Sequence, residues 1–454
     1  MKIFKTVAIL FSAFILSVPC HIQAQSNKIL FAGSVPQSQT LATGADKPVV
    51  FDTFFIAKTL RVDYFLAGDA RSEIVCFDQM KQEPFWGGSH KNLTDPFGYG
   101  TYRYAAYDSA TNQRIFSRGF SSLFQEWKGT EEAKKMKRAF PMTAVLPFPK
   151  NTIRFIIEKR SYETNGFEVL FERFINPSDY FINRGNIHQM KVTRIKDSGD
   201  PATHVDVAFI AEGYTAGDME KFRMDAKRFC DYFMSVEPYS QNPGSFNFYA
   251  IEAPSDETGV TIPGKDIFVN TSVHSSFYTF DMDRYLTTFD TKSVYDIAAN
   301  VPYDAIFVLV NSKRYGGGGF YNHYSEGTVD NLYSTVVAIH EFGHSFAGLA
   351  DEYYNAEVTY AGFYNLKFEP WEPNITTNVN FGSKWKNRIT AGTPIPTPRD
   401  PGFKEVTGMF EGGGYLSRGI YSPMMDCRMK SNEATGFCPV CKDAITKMIH
   451  FYCE

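Results

Sequence analysis

The chain has 454 residues, of which 43% are hydrophobic and 21% are charged, and its formal net charge is −4. This composition is typical of a globular protein with sizeable apolar cores, and it excludes a largely disordered chain. The small negative charge gives no reason to expect nucleic acid or an anionic membrane surface as a partner. A chain of this length is expected to form two or three domains.

Residues 1–24 are predicted to be a signal peptide. Lys2 and Lys5 give a basic start, and the apolar run at 7–18 is too short to span a membrane. Cys20 would fit a lipoprotein signal, but the residues before it match such a signal poorly, so cleavage near Ala24 is predicted. Later stretches do not reach membrane-spanning length. We therefore expect an exported protein without a membrane span.

Residues 25–178 are predicted to form an N-terminal β-sandwich domain. Segments such as 60–65 and 153–158 are rich in β-branched and aromatic residues, and turn-forming stretches separate them. The sequence of this region does not indicate catalysis, and it leaves substrate binding and docking onto a second domain open as roles. A linker is predicted between residues 176 and 185.

Residues 186–454 are predicted to form a second domain built on a twisted mixed sheet. Apolar runs at 204–213, 246–253 and 305–310 are typical of buried strands, and a helix is predicted to begin at Thr215. Four consecutive glycines at 316–319 lack the Lys-Ser/Thr that a phosphate-binding loop requires. We expect an edge strand there, where glycines allow close backbone approach and an extended peptide could pair.

The clearest chemical motif is His340-Glu341-Phe342-Gly343-His344, which lies within an apolar stretch. Helical positions four apart share a face, so both imidazoles point the same way and provide half of a tetrahedral zinc site. Glu341 is then placed to act as a general base toward a water molecule at the metal. Taken alone, this motif also occurs by chance on helices that bind no metal.

A catalytic zinc site needs a third protein ligand. Gly348 is placed to end the helix, and Asp351, three residues further on, is predicted to be that ligand, with Glu352 as the runner-up. The long metzincin motif places its glycine one residue earlier and uses a histidine three residues after it. A carboxylate oxygen is also an ordinary zinc donor, so aspartate is chemically acceptable.

The segment Tyr421-Ser422-Pro423-Met424-Met425-Asp426-Cys427 is similar to the Met-turn that lies beneath the zinc ligands of metzincins. Met424 and Met425 are therefore predicted to lie below the metal site. Filling of an irregular core is the alternative role, and it is compatible with the first because a Met-turn is itself a packing device.

Six cysteines remain after the predicted cleavage. Clustering near the C-terminus favours disulfides in an exported protein. A bond from Cys427 to Cys438 is predicted to anchor the Met-turn, and a structural zinc site on the clustered cysteines is the alternative. Cys76 and Cys230 are isolated and are expected to be buried free thiols. The C-terminal cluster consists of Cys427, Cys438, Cys441 and Cys453.

Residues 340–353 and the Ser-Pro-Met-Met segment at 422–425 resemble the IgA-peptidase family of bacterial zinc metallopeptidases. That family also has an N-terminal β-rich domain, so the resemblance covers nearly the whole mature chain. It implies an α+β multidomain fold: an N-terminal β-sandwich followed by a metzincin-like zinc peptidase domain with a twisted mixed sheet and a zinc-binding active-site helix.

The resemblance further implies a zinc-dependent endopeptidase that acts on protein or peptide substrates, immunoglobulin A being a substrate of some members. Such a protein would be secreted, periplasmic or attached to the bacterial cell surface. Glu341 is expected to take a proton from water and pass it to the leaving amine. Tyr421 is a candidate for stabilising the oxyanion.

Two alternatives remain at the level of sequence. A zinc hydrolase of the gluzincin type would use a distant helical glutamate as its third ligand, and the Met-turn argues against it. An exported protein- or carbohydrate-binding module with a structural zinc site is the other alternative. A structural site has no use for a general base, so the presence of Glu341 argues against that reading.

Overall fold

The structure is a computed structural model that describes residues 48–354 and 362–454. The predicted signal peptide and its cleavage site lie outside the described residues. Asp46–Glu454 forms one compact unit, and the predicted domain boundary between 178 and 186 stays a prediction. Among the helices of the described residues, none combines the length and the apolar character required to cross a membrane.

The N-terminal region consists mainly of two four-stranded sheets, ordered β5-β1-β2-β8 and β4-β3-β6-β7. Strand β8 lies within the stretch predicted as a linker and pairs with β2 in parallel. The elements of this region are α1 (Phe51–Phe54), β1 (Phe55–Gly68), β2 (Glu73–Glu83), β3 (Tyr102–Asp108), β4 (Arg114–Phe120), α2 (Leu123–Trp127), β5 (Arg138–Pro149), β6 (Ile153–Arg160), β7 (Phe167–Ile175) and β8 (Ile182–Asn183).

Both sheets contribute side chains to one apolar core. Leu60 and Val62 of β1 are fully buried in it, as are Phe155 and Ile157 of β6. The Tyr104 hydroxyl donates a hydrogen bond to the carbonyl of Val145, 3.1 Å away, and so links the two sheets. The strands predicted at 60–65 and 153–158 are present, while the packing of the two sheets as a sandwich stays a prediction.

A six-stranded mixed sheet forms the centre of the remaining region, in the order β13-β14-β12-β10-β11-β9. The inner strands run parallel, and the two edge strands are antiparallel to their neighbours. Strands β10 to β12 are buried along their whole length, as expected when helices or loops cover both faces. The strands are β9 (Lys191–Lys196), β10 (Val205–Glu212), β11 (Phe246–Glu252), β12 (Ala305–Val310), β13 (Gly317–Gly319) and β14 (Ser325–Thr328).

Four longer helices pack against this sheet, and a separate hairpin follows in the chain: α3 (Met219–Ser235), α4 (Thr291–Ala298), α5 (Ser334–Ala347), α6 (Pro439–Cys453), and β15 (Phe410–Gly413) with β16 (Leu416–Ser422). Helix α5 carries the His-Glu-x-x-His motif. Its Phe342 packs edge-on against Phe233 of α3, with ring centroids 5.0 Å apart. Taken together, these elements form an α+β structure with several sheets and few helices.

Helix α5 ends at Gly348, as the sequence predicts. Gly348 has a left-handed backbone conformation with φ of 63°, and its N–H donates to the His344 carbonyl at 3.0 Å. The next N–H, that of Leu349, donates to the Gly343 carbonyl at 3.2 Å. Glycine adopts this conformation at little cost, so the chain turns sharply here and returns toward the helix.

Candidate active site

Three donor atoms meet beside helix α5. The Nε2 atoms of His340 and His344 are 3.1 Å apart. Asp351 Oδ1 lies 3.0 Å from the first of these nitrogens and 3.3 Å from the second. Ligand atoms on a tetrahedral zinc ion with bonds of about 2.0–2.1 Å are roughly 3.3–3.4 Å apart. The triangle formed by the three donors therefore has the size that one zinc ion requires.

The other nitrogen of each imidazole is fixed by a backbone carbonyl. His340 Nδ1 donates to the carbonyl of Arg428 at 3.0 Å, and His344 Nδ1 donates to that of Leu349 at 2.6 Å. Because a carbonyl oxygen can only accept a hydrogen bond, each Nδ1 carries the proton. The lone pair of each Nε2 is then available to bind a metal ion. The Tyr415 hydroxyl donates to Asp351 Oδ2 at 2.6 Å, which orients Oδ1 toward the two imidazoles.

The electrostatics of this group also suit a cation. Burial lowers the pKa of His344, but the Asp351 carboxylate outweighs burial and raises it to about 9. Burial raises the pKa of Asp351, but the two imidazoles outweigh it and hold the pKa below the ordinary value. Asp351 Oδ1 is buried and faces the two imidazole nitrogens. A divalent cation would take the place of the protons that such a group otherwise holds.

These side chains lie at the floor of a cleft of about 320 Å³. Glu341 also lines the cleft, and burial raises its pKa above the ordinary value for glutamate. A raised proton affinity suits a general base that must accept a proton and release it again. The geometry therefore places the Glu341 carboxylate and three atoms that are able to bind a metal in the lining of one accessible cavity.

The N-terminal region supplies one wall of the cleft through Ser121, Gln125 and Glu126. Glu126 accepts a hydrogen bond from the Tyr285 hydroxyl at 2.6 Å, and burial raises its pKa to about 7. The sequence left the role of this region open, because the local pattern around helix α2 carries no signal of a site. In the structure these side chains line the cleft, so they are placed to contact a molecule that binds there.

Glu352, the runner-up for third ligand, lies in a different place. Its Oε1 atom is 3.2 Å from the Sγ of Cys441 and 3.0 Å from Nδ2 of Asn374. Of the two adjacent carboxylates, Asp351 is the one beside the histidines.

Met424 and Met425 follow β16 in a bend, where both are half-buried, and Met424 packs against the core that contains α5. A third methionine, Met429, packs against Gly343 of the His-Glu-x-x-His motif. Its Sδ lies 2.9 Å from the position that a Cβ on Gly343 would take. The sequence did not single out Met429. The predicted Met-turn role of Met424 and Met425 stays a prediction.

Tyr421 lies in the β15–β16 hairpin, opposite Glu411, and exchanges backbone hydrogen bonds with Thr376. It is absent from the described residues that line the cleft. Tyr353 and Tyr415 do line the cleft, so they are better placed than Tyr421 to reach a reacting group.

The predicted disulfide between Cys427 and Cys438 is wrong, because the described cysteines are all free. The Cys438 backbone N–H donates to Cys427 Sγ at 3.2 Å, and the Sγ atoms of Cys427 and Cys441 are 3.8 Å apart. A disulfide requires about 2.05 Å between sulfurs. Cys230 is a buried free thiol as expected, whereas the free thiol of Cys76 is exposed.

Strand β13 is the outer strand of the mixed sheet, as predicted, and its glycines line the cleft and also pack closely against neighbouring segments. A Cβ on Gly319 would lie 2.3 Å from the Glu341 carbonyl oxygen, and one on Gly318 would lie 2.7 Å from that of Leu286. Gly317 is bridged by Tyr285 along the outer edge. The glycines thus allow the strand to lie directly against helix α5.

Gly319→Ala is expected to lower the free energy of unfolding by about 1–3 kcal/mol, because the new methyl group forces strand and helix apart. Thermal denaturation measures this effect. Gly244→Ala is the matched control, since a Cβ at Gly244 would meet no atom within 4 Å. Equal melting temperatures for the two variants would show that the close approach does not constrain the fold.

Comparison with known proteins is consistent with this geometry. The family model for IgA Peptidase M64 matches residues 193–406 and 399–449, which include the three donors and Glu341. The model for the Peptidase M64 N-terminus matches residues 50–171, which include the wall formed by helix α2. No curated protein matches the chain. Because the first of these models covers more than half of the sequence, the chain belongs to the IgA Peptidase M64 family, a family of peptidases.

Proposed function

We propose that the protein is a zinc-dependent endopeptidase in which Glu341 is the general base. The observation that carries the proposal is the convergence of His340, His344 and Asp351 beside Glu341 at the floor of the cleft. Two imidazoles and one carboxylate are a donor set of catalytic zinc sites, which keep a further position open. Membership of a peptidase family supports hydrolysis of peptide bonds as the reaction.

The residues have separate tasks in this reaction. His340, His344 and Asp351 would hold the ion, and a bound zinc ion supplies a Lewis acid that polarises a carbonyl and lowers the pKa of water. Glu341 takes the proton of the attacking water and delivers it to the leaving amine. The Tyr415 hydroxyl and the carbonyls of Arg428 and Leu349 keep the three ligands in orientation.

The walls of the cleft fit a polypeptide with mixed side chains. Aromatic rings of Tyr285, Tyr353 and Trp371 offer apolar contact, while Glu126 and Lys430 are among the acidic and basic groups of the lining. The N-terminal region and the region that carries helix α5 each contribute a wall, so the cleft suits an extended peptide segment bound between the two walls. We propose protein substrates for this reason, and immunoglobulin A, which the family description names, is the first to test.

The decisive experiment is incubation of the purified protein with immunoglobulin A and with an unfolded protein. New N-termini identified by mass spectrometry are the expected result. A zinc-containing binding module would retain the partner without cutting it, and that outcome would contradict the proposal.

We also propose export with removal of residues 1–24, on the basis of the basic and apolar pattern of that stretch. If the protein is prepared from the periplasm or the culture medium, the same mass spectra show whether it begins after Ala24. An intact Met1 in exported protein would exclude this cleavage.

A further inference from the structure

A second group of metal-ligating side chains lies outside the set of residues that line the cleft. It consists of Glu352, Cys427, Cys438 and Cys441, all of which are buried. The ligand atoms of these four side chains all lie within 4.8 Å of one another. This group is separate from the histidine site, to which none of its members contributes a donor atom.

Three segments of the chain meet at this group. Glu352 comes from the turn after α5, Cys427 follows β16, and Cys438 and Cys441 form the first turn of α6. The N–H of Cys438 donates to Cys427 Sγ at 3.2 Å, and the N–H of Cys441 donates to Cys438 Sγ at 3.4 Å. Backbone donors directed at sulfur favour the thiolate, which is the form of cysteine that binds metals.

We propose that Glu352, Cys427, Cys438 and Cys441 bind a second, structural zinc ion. Sulfur atoms on a tetrahedral zinc ion with bonds of about 2.3 Å are roughly 3.8 Å apart. The Sγ atoms of Cys427 and Cys441 are separated by 3.8 Å. These two sulfurs thus have the spacing of ligands around a shared ion, which is nearly twice the length of a disulfide bond.

Glu352 provides an independent observation. Its side chain is fully buried, and within the described part of the chain its Oε2 atom has no hydrogen-bond partner. A buried carboxylate that faces three cysteines is costly unless a cation balances its charge. Thiolate sulfur selects zinc over the hard cations magnesium and calcium, and a closed set of four protein ligands is typical of structural zinc.

The second site is linked to the first through neighbouring residues. Glu352 directly follows Asp351, and its N–H donates to the Met429 carbonyl at 2.7 Å. Cys427 directly precedes Arg428, whose carbonyl orients His340. An ion at the second site would therefore hold the two turns that position the histidine site. This positioning role depends on the proposed peptidase function, whereas the metal site itself depends only on the four side chains.

The test is metal analysis of the full chain, purified without added chelator. Two zinc ions per chain are expected for the natural sequence and one for Cys441→Ser. Cys453→Ser is the matched control in the same helix, since Cys453 Sγ lies outside the group and 3.7 Å from the Ser245 carbonyl. That control is expected to retain both ions. A single zinc ion in the natural protein, with the histidine site filled, would overturn the proposal.

Cobalt substitution keeps the proposal testable if Cys441→Ser fails to fold. Thiolate ligands give cobalt(II) an intense near-ultraviolet charge-transfer absorption that histidine and carboxylate ligands do not give. We expect this band in the natural protein and in Asp351→Ala. Its absence from the natural protein, or a disulfide among the three cysteines in unreduced peptide maps, would overturn the second site. Loss of proteolysis with the band retained would instead count against the proposed peptidase function alone.

Discussion

Glu341→Gln is expected to lower kcat for peptide cleavage by about 10²–10⁴-fold, the usual contribution of a general base. Glutamine has nearly the same shape as glutamate but cannot accept the proton of the attacking water. The zinc content is expected to stay unchanged, because the three predicted ligands are intact. Steady-state cleavage of an unfolded protein, together with metal analysis of the same sample, measures both quantities.

Glu405→Gln is a suitable control for this experiment. Glu405 is exposed and does not line the cleft, so its amide variant is expected to cleave at the natural rate. Near-natural turnover by Glu341→Gln would show that another group is the base.

Asp351→Ala is expected to weaken zinc binding at the histidine site by more than about 100-fold. Loss of a group that merely orients a ligand already costs about 10–100-fold in affinity, and removal of a ligand should cost more. The change also leaves the Tyr415 hydroxyl without the carboxylate that accepts its hydrogen bond. Competition with a chromophoric chelator measures the affinity of this site.

Glu352→Gln is the informative comparison, because the two carboxylates are neighbours in sequence and belong to different groups of ligands. It is expected to leave the histidine site filled and to weaken the cysteine site. If Glu352→Gln empties the histidine site while Asp351→Ala leaves it filled, Asp351 is not the third ligand.

Local rules explain which parts of the site could be predicted from the sequence. The period of an α-helix places His340 and His344 on one face, and a glycine in the left-handed conformation ends that helix at Gly348. The interval from this glycine to Asp351 is then short enough to bring the carboxylate back to the imidazoles. The buried strands β10 and β12 were recognisable for a similar reason, since each is a continuous apolar run.

The remaining features depend on contacts between distant segments. Glu126 lines the cleft only because the N-terminal region packs against the peptidase region. The residues next to Glu126 in the sequence do not indicate this contact. Met429 reaches Gly343 for the same reason. Sequence spacing also cannot distinguish two bonded sulfurs from three sulfurs around a common centre, so the pairing of Cys427 with Cys438 was predicted wrongly.

Restoring zinc to chelator-treated protein connects the histidine site most directly with catalysis. The measurement follows the rate of peptide cleavage while zinc is added back to the natural chain and to Cys441→Ser, with the number of bound zinc ions determined by native mass spectrometry. We expect the treated protein to be inactive and its rate to rise in proportion to the filling of the site formed by His340, His344 and Asp351. A full rate of cleavage by protein whose histidine site is empty would contradict the assignment of that site as the catalytic centre.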